Sequence, residues 1–148
     1  MKVVLQVVNH ASVTIDNKLY SSIGEGFLLL VGYTEGDNFE TIKKVIDKIV
    51  SLRIFMDENG KTNLPFDKEK QELLCVSQFT LYADIKHGRR PSFTKSLGPV
   101  PAKELYEQTL DYLKSLDIKV KQGVFGADMK VDLLNDGPFT WMIDSEEL

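Results

Sequence analysis

The stretch from Glu72 to Ala83 sets three small polar residues, Ser77, Gln78 and Thr80, into a run that is otherwise apolar. Charged positions 68–72 precede it and Asp84 follows it. Its length and its β-branched and aromatic content predict a central strand buried on both faces. Side chains alternate along a strand, so Cys75, Ser77, Phe79 and Leu81 are expected on one face, and Val76, Gln78, Thr80 and Tyr82 on the other. A buried hydroxyl or amide without a partner costs about 1–3 kcal/mol. Three of them in a core strand therefore need a compensating arrangement. Either they bond to neighbouring strands or they line a pocket, and the segment taken alone favours the first, since most buried polar side chains are satisfied.

At 148 residues the chain suits one domain spanning 1–148, large enough to bury roughly 68–70% of the surface of its unfolded state. The single cysteine, Cys75, excludes an internal disulfide, suits a reducing cytoplasm, and is expected to be inert inside its strand. Gln6 and Asn9 interrupt the start before a signal-peptide core can form, and no apolar run approaches the ~18 residues of a membrane span. A cytoplasmic protein without membrane association is the expectation. Eighteen basic against 22 acidic side chains give a net charge of −4, which argues against indiscriminate nucleic-acid binding and leaves room for a local basic patch.

Residues 3–8 and 12–15 are β-branched runs, and Asp16-Asn17-Lys18 supplies turn residues before Leu19 to Ile23, so short paired strands open the chain. Phe27 to Tyr33 is apolar throughout and predicts a strand covered on both faces. Asp37 and Glu40 have capping-box spacing, and Phe39, Ile42, Ile46, Ile49 and Arg53 follow at helical intervals, predicting a helix at about 38–52. Arg53 to Met56 reads as a short strand, Asn59-Gly60 as a turn, and 61–71 as polar loop. Pro101 suits a first helical position, and Leu105, Thr109, Tyr112 and Leu116 continue a second helix over about 101–116. Residues 118–121 alternate like an edge strand. Lys130 to Leu134 reads as a further strand, Asn135-Asp136-Gly137-Pro138-Phe139-Thr140 as a hairpin turn, and 144–148 as a loose tail.

Between the central strand and the second helix, Lys86, His87, Arg89, Arg90 and Lys95 surround Gly88 and Pro91. This is an exposed basic loop. In an acidic protein it is a candidate phosphate contact, with Lys86, Arg89, Arg90 and Lys95 as the groups concerned. Metal chemistry has little support, because one cysteine and two distant histidines, His10 and His87, have no ligand spacing; no metal or other cofactor is expected. No G-x-S-x-G elbow and no phosphate-cradling glycine loop occurs. Thr80, Ser77 and Gln78 offer hydroxyls and an amide, yet no evident base. A substrate for such a site has to assist its own reaction.

Ser77-Gln78-Phe79-Thr80-Leu81 and Asn135-Asp136-Gly137-Pro138-Phe139-Thr140, in this order and separation, resemble the paired signature motifs of the D-aminoacyl-tRNA deacylases, also called D-tyrosyl-tRNA deacylases. Ala11-Ser12-Val13, Leu52-Arg53-Ile54-Phe55, Gly88-Arg89-Arg90-Pro91-Ser92-Phe93 and Phe125-Gly126-Ala127-Asp128-Met129 resemble family segments too, so the likeness covers essentially the whole chain.

The resemblance implies a single-domain α+β subunit, with mixed, mostly antiparallel sheets in a barrel-like arrangement and two main helices packed outside. It implies a homodimer that hydrolyses the ester of D-aminoacyl-tRNA and of glycine mischarged on alanine tRNA. Ser77, Gln78, Phe79 and Thr80 would line the catalytic pocket. Gly137 and Pro138, joined by a cis bond and inserted into the partner's pocket, would reject L-amino acids, with Asn135 and Thr140 as support. The ribose 2′-OH would take the activating role, which fits the absence of a base better than Thr80 as nucleophile. Two positions depart from the family pattern: Val7 stands where an arginine commonly holds the Gly-Pro segment, and Phe139 where valine is usual. The rival readings are an editing domain that removes a wrong L-amino acid and a noncatalytic RNA-binding module.

Overall fold

Lys2 to Ile15 form one continuous strand, β1, where two short strands were expected. In the computed structural model, which describes residues 1–148, this strand uses both of its edges. One edge pairs antiparallel with β2 (Lys18–Ile23) and β3 (Gly26–Gly32). The other pairs antiparallel with β8 (Lys130–Asp144). The two β-branched runs join because a bulge absorbs the polar residues between them: Val8 faces Asn135 and His10 faces Leu134, leaving Asn9 as the extra residue. The bulge also exchanges the faces. Val3, Leu5 and Val7 pack toward the helices, whereas Ala11 and Val13, of the same parity, join Val8 in a second core.

Parallel pairing extends the sheet from β3 to β6 (Glu72–Ser77) and on to β7 (Val120–Gln122), giving the order β2-β1-β3-β6-β7. At the start of the β3–β6 pair, Gly26 comes so close to the neighbouring backbone that a Cβ would lie 1.7 Å from the Glu72 carbonyl oxygen. Only glycine fits there. Ser21 Oγ donates to the Gln122 carbonyl at 2.8 Å, tying β2 to β7 across the gap and nearly closing the sheet into a barrel.

Parallel neighbours require long crossovers, and these hold the two helices, α1 (Phe39–Ser51) and α2 (Pro99–Ser115). Ile42, Val45, Ile46 and Ile49 make the buried stripe of α1, and Ala102, Leu105, Tyr106, Thr109, Leu110 and Leu113 that of α2. They cover Phe27, Leu29, Val31, Leu73 and Cys75 on one face of the sheet. Leu28, Leu74 and Val76, on the opposite face, meet Val8, Ala11, Val13 and Ile23 inside the curl. β3 is thus covered on both sides, as its composition implied. The whole is a single α+β unit with a mixed sheet and two helices outside, and no helix is long and apolar enough to cross a membrane.

Several local expectations shift. The capping box of α1 is Asn38 with Thr41, one residue beyond the expected pair. Asp37 is engaged elsewhere, accepting from the Thr34 N–H and from the Met1 ammonium, each at 2.8 Å. α2 starts at Pro99, which takes the N1 position expected for Pro101. Within 61–71, residues Thr62–Leu64 form β5, which pairs with β4 (Phe55–Met56) around a turn held by Asp57. β7 begins at Val120, since Ile118 is drawn into the core instead. The tail is anchored: the Ser145 N–H donates to the Met1 carbonyl, and its hydroxyl accepts from the Met1 ammonium at 2.9 Å.

Candidate active site

The strand expected to run to Ala83 stops at Ser77, and Phe79–Tyr82 form a 3-10 turn. The Gln78 N–H makes a last bond to the Val31 carbonyl at 2.7 Å; β3 ends one residue later, so residues beyond Gln78 have no strand to pair with. Gly32 permits the turn, because a Cβ there would stand 2.8 Å from the Gln78 carbonyl oxygen. The alternation of faces therefore fails after Ser77. Phe79 is 54% exposed, Thr80 is exposed, and Ser77 and Gln78 are half-buried. The polar trio is not a core problem. Ser77 and Gln78 line an opening, and Thr80 stands exposed beside them, bonded to Gln78.

That opening is a cavity of about 550 Å³ at the carboxyl ends of β3 and β6. Ser77, Gln78 and Phe79 line it with Val31 and Tyr33; Leu97, just before α2, and Pro99 and Ala102 at its start close one side, and Phe125 to Met129 another. Gln78 Nε2 donates to Thr80 Oγ1 at 2.5 Å, and Ser96 Oγ donates to the Phe79 carbonyl at 2.8 Å. The first N–H groups of a 3-10 turn have no partner inside it, so those of Phe79 and Thr80 are free of the turn's own ladder. No ionisable side chain bonds to either Ser77 or Thr80. No three His, Cys, Asp or Glu side chains gather as a metal site.

Two buried groups of this region are structural. Tyr33 OH and Thr109 Oγ1 share a hydrogen bond at 2.7 Å, and burial pushes the Tyr33 phenol well above its ordinary range. Burial likewise pushes the Cys75 thiol up to about 12. A thiol held neutral in this way is a poor nucleophile, in keeping with its expected inertness.

The segment expected as a hairpin turn is not one. β8 continues past it in the same direction: Asn135 pairs with Val8 and Thr140 with Gln6, so residues 136–139 bulge out of a strand that never reverses. Both halves find register on the same long neighbour, β1, which removes any need to turn back. The Gly137-Pro138 bond is cis, and both residues are exposed. Asn135 Nδ2 donates to the carbonyls of Val7 and Phe139, each at 2.9 Å, and Thr140 Oγ1 donates to Asn135 Oδ1 at 3.2 Å while accepting from Gln6 Nε2 at 3.4 Å. At position 7 the bulge is held through the main-chain carbonyl; the valine side chain points into the core. The Phe139 ring packs on the helix-side core and against Trp141. Gly137 and Pro138 do not line the cavity of their own chain.

The basic loop is exposed, as expected, and is closed at its base by two backbone bonds of 2.8 Å between Asp84 and Ser92. Lys86, Arg89 and Arg90 take part in no ion pair, whereas Lys95 is bound to Asp84 at 3.0 Å. The Lys86 N–H first, and then Lys95, hold the Asp84 carboxyl below its usual range. Reading the sequence assigned no role to Leu97, Ala102 or the 125–129 segment. The last was noticeable as a stretch of family likeness, but nothing in its composition marks it as a cavity wall.

A nearly closed mixed sheet with two helices outside, and a largely apolar cavity at the ends of two parallel strands that Ser77 and Gln78 edge with a hydroxyl and an amide, defines a single-domain α+β protein. The model of a family described as D-Tyr-tRNA(Tyr) deacylase matches residues 4–144, and the chain belongs to that family. It is 53% identical over 144 residues to the D-aminoacyl-tRNA deacylase of Lactobacillus gasseri, covering 97% of this chain and 99% of that one. With the D-aminoacyl-tRNA deacylase of Thermosipho africanus it shares 47% identity, covering 100% of this chain and 99% of the other. Among solved structures, a c-Myc DNA unwinding element binding protein superposes with a TM-score of 0.91 at 36% identity, covering 97% of this chain and 98% of that one. A probable eukaryotic D-amino acid tRNA deacylase superposes at 0.81 with 18% identity, covering 96% and 97%, which speaks for the fold alone.

Proposed function

We propose that the protein hydrolyses the ester joining a D-amino acid to the 3′-terminal adenosine of tRNA, releasing the amino acid and free tRNA. The observation that carries this reading is the Gln78 to Thr80 hydrogen bond at the cavity mouth. Thr80 Oγ1 accepts from an amide that cannot take its proton, so the hydroxyl serves to position a substrate rather than to attack it. Water adds to the ester carbonyl, the free N–H groups of Phe79 and Thr80 receive the developing oxyanion, and the 3′-oxygen departs with a proton. The vicinal 2′-OH holds the water and passes that proton. The chain supplies placement and the RNA supplies the proton path. The place of action is the cytoplasm, where aminoacyl-tRNA is made and used.

The site is completed by a second copy. Gly137 and Pro138 protrude from β8 away from their own cavity, and the outer edge of β8 carries no strand partner. Leu134, Trp141 and Met142 on the same strand are 51%, 38% and 68% exposed, apolar groups on both faces of β8 left open for a homodimer contact. In that dimer the main-chain atoms of the partner's Gly-Pro segment crowd an L side chain and leave room for a D one. Glycine has nothing to reject, so glycine mischarged on alanine tRNA is also cleared.

Charging one tRNA with D- and with L-tyrosine and comparing single-turnover hydrolysis tests the proposal. Release of D-tyrosine with L-tyrosyl-tRNA spared is the expected result. Preferential release of the L form makes the protein an editing domain for L-amino acids, and binding of tRNA without release of any D-amino acid or glycine makes it a noncatalytic RNA-binding module.

A further inference from the structure

Phe93 is 40% exposed, and its ring meets that of Phe79 edge to face with centroids 5.0 Å apart. Phe79 lines the cavity; Phe93 does not. The aromatic surface therefore continues from the cavity rim outward, and it continues toward the basic loop. Phe93 directly follows Ser92, one of the two residues that close that loop through paired backbone bonds with Asp84. Ser92 Oγ and Thr94 Oγ1, on either side of Phe93, are 3.2 Å apart and stiffen the turn. Above this fixed base lie Lys86, Arg89 and Arg90, exposed and without ion-pair partners. An apolar core does not explain two large rings left this open beside unpaired cations. Exposed aromatic faces interleaved with basic side chains are the surface chemistry that binds unpaired nucleotides, the rings taking bases and the cations taking phosphates.

Resting on the reading of the chain as a hydrolase of aminoacyl-tRNA esters, we propose that Phe93 stacks a base of the unpaired nucleotides that precede the terminal adenosine, while Arg89 and Arg90 hold the adjoining phosphates. The cavity then receives the ester, and the track from Phe79 to Phe93 receives the strand that carries it. Phe93 is a positioning residue for the RNA and takes no part in the chemistry at the ester. Its contribution exists only when nucleotides upstream of the terminal adenosine are present.

The experiment compares two substrates, D-tyrosyl-tRNA and 3′-O-D-tyrosyl-adenosine, which lacks every upstream nucleotide. Phe93→Leu keeps apolar packing against Phe79 and removes the aromatic face; Phe93→Trp keeps the face. Phe93→Leu is expected to raise KM for the tRNA by about 5- to 150-fold, the worth of one stacked base, with kcat for the tRNA and both constants for the adenosine ester unchanged. Phe93→Trp restores the tRNA KM. An equal loss on both substrates means that Phe93 merely supports Phe79, and an unchanged tRNA KM means that no base stacks there; either overturns the proposal. A wild-type enzyme inactive on both esters refutes the deacylase reading itself, and is distinguished by needing no variant.

Discussion

The α-carbon of Gly32 lies so close to the Gln78 carbonyl that a Cβ would stand 2.8 Å from that oxygen, with Leu81 Cβ at 3.3 Å behind it. β3 ends at this glycine and the turn that carries Gln78, Phe79 and Thr80 begins against it. The shape of the cavity mouth is therefore set by a residue with no functional group. Gly32→Ala is expected to push the turn outward and to lower kcat/KM for D-tyrosyl-tRNA by about tenfold or more, since small misplacements of positioning groups are costly. Overpacking of this kind costs about 1–3 kcal/mol of stability, which a melting curve will register as a modest fall. Unchanged kinetics would show that the turn does not orient substrate.

Thr80→Ala removes the partner of the Gln78 amide and leaves the free N–H groups in place. Loss of one positioning hydrogen bond is worth about 1–3 kcal/mol, or roughly 5–150-fold in rate. The variant is expected to keep measurable activity. A tRNA ending in 2′-deoxyadenosine, with the ester on its 3′-OH, is expected to react far more slowly with the unmodified enzyme. Single-turnover rates for the two cases decide the matter: a dead Thr80→Ala with a fully active deoxy substrate assigns the attack to threonine.

What the sequence revealed and what it concealed divide along physical lines. Hydrophobic period, with capping and proline signals for the helices, located β3 and both helices, because burial of Phe27 to Gly32 on two faces and of Ile42, Val45, Ile46 and Ile49 on one are local patterns. The end of β6 was not local: Phe79, Leu81 and Tyr82 continue its apolar run, and only the exhaustion of its neighbour at Gly32 stops it. Pairing acted in the opposite sense at 135–140, where the expected hairpin is a bulge because β1 is long enough to pair with both halves. Of the cavity lining, Ser77, Gln78 and Phe79 were legible through a family-like motif, while the wall from Phe125 to Met129 and the outer ring of Phe93 depend on tertiary placement.

Arg89 and Arg90 are exposed and bound to no acid, so their removal leaves no unpaired partner behind. Replacing both with alanine is expected to raise KM for D-tyrosyl-tRNA and to flatten the dependence of log KM on log salt by about 1–2, since each arginine that neutralises a phosphate releases close to one counterion. Lys95→Ala is expected to do less, since that ammonium is already held by Asp84. A salt slope equal to that of the unmodified protein would remove the loop from the RNA interface.

Burial holds the Cys75 thiol protonated up to about pH 12, against an ordinary value of 9.0. Between these values the unfolded chain has released the proton and the folded chain has not. The folded pKa is the higher one, so the associated stability is fully present below pH 9 and is lost as pH rises toward 12, at about 1.4 kcal/mol per pH unit. Chemical denaturation at pH 8.5, 9.5 and 10 is expected to show this decline, with Cys75→Ala less stable at pH 8.5 but flatter by one proton. Buried Tyr33 and Tyr106, both raised chiefly by desolvation, add to the fall at higher pH. A thiol reagent that modifies the folded protein at pH 8 as fast as the denatured one would contradict the assignment.

Asn135 and Thr140 hold the bulge so that Gly137 and Pro138 project from the chain and away from its own cavity. If each active site combines the cavity of one subunit with the Gly-Pro segment of the other, damage to the two parts can be separated between chains. Gln78→Ala damages the cavity. Gly137→Ala damages the projection, because a Cβ at φ 126° meets the Phe139 ring at 2.7 Å. Each homodimer alone is expected to lose D-tyrosyl-tRNA hydrolysis. Co-refolding equal amounts yields mixed dimers in half of the population, and each mixed dimer contains one site with an intact cavity and an intact projection. Activity is therefore expected to return to about a quarter of the wild-type level. The converse mixture has the opposite sign. Wild-type chain co-refolded with the double variant places one damaged part in both sites of every mixed dimer, so activity falls to about a quarter, where sites built within one chain would retain about half. No recovery in the first mixture together with half activity in the second would assign the whole site to a single chain.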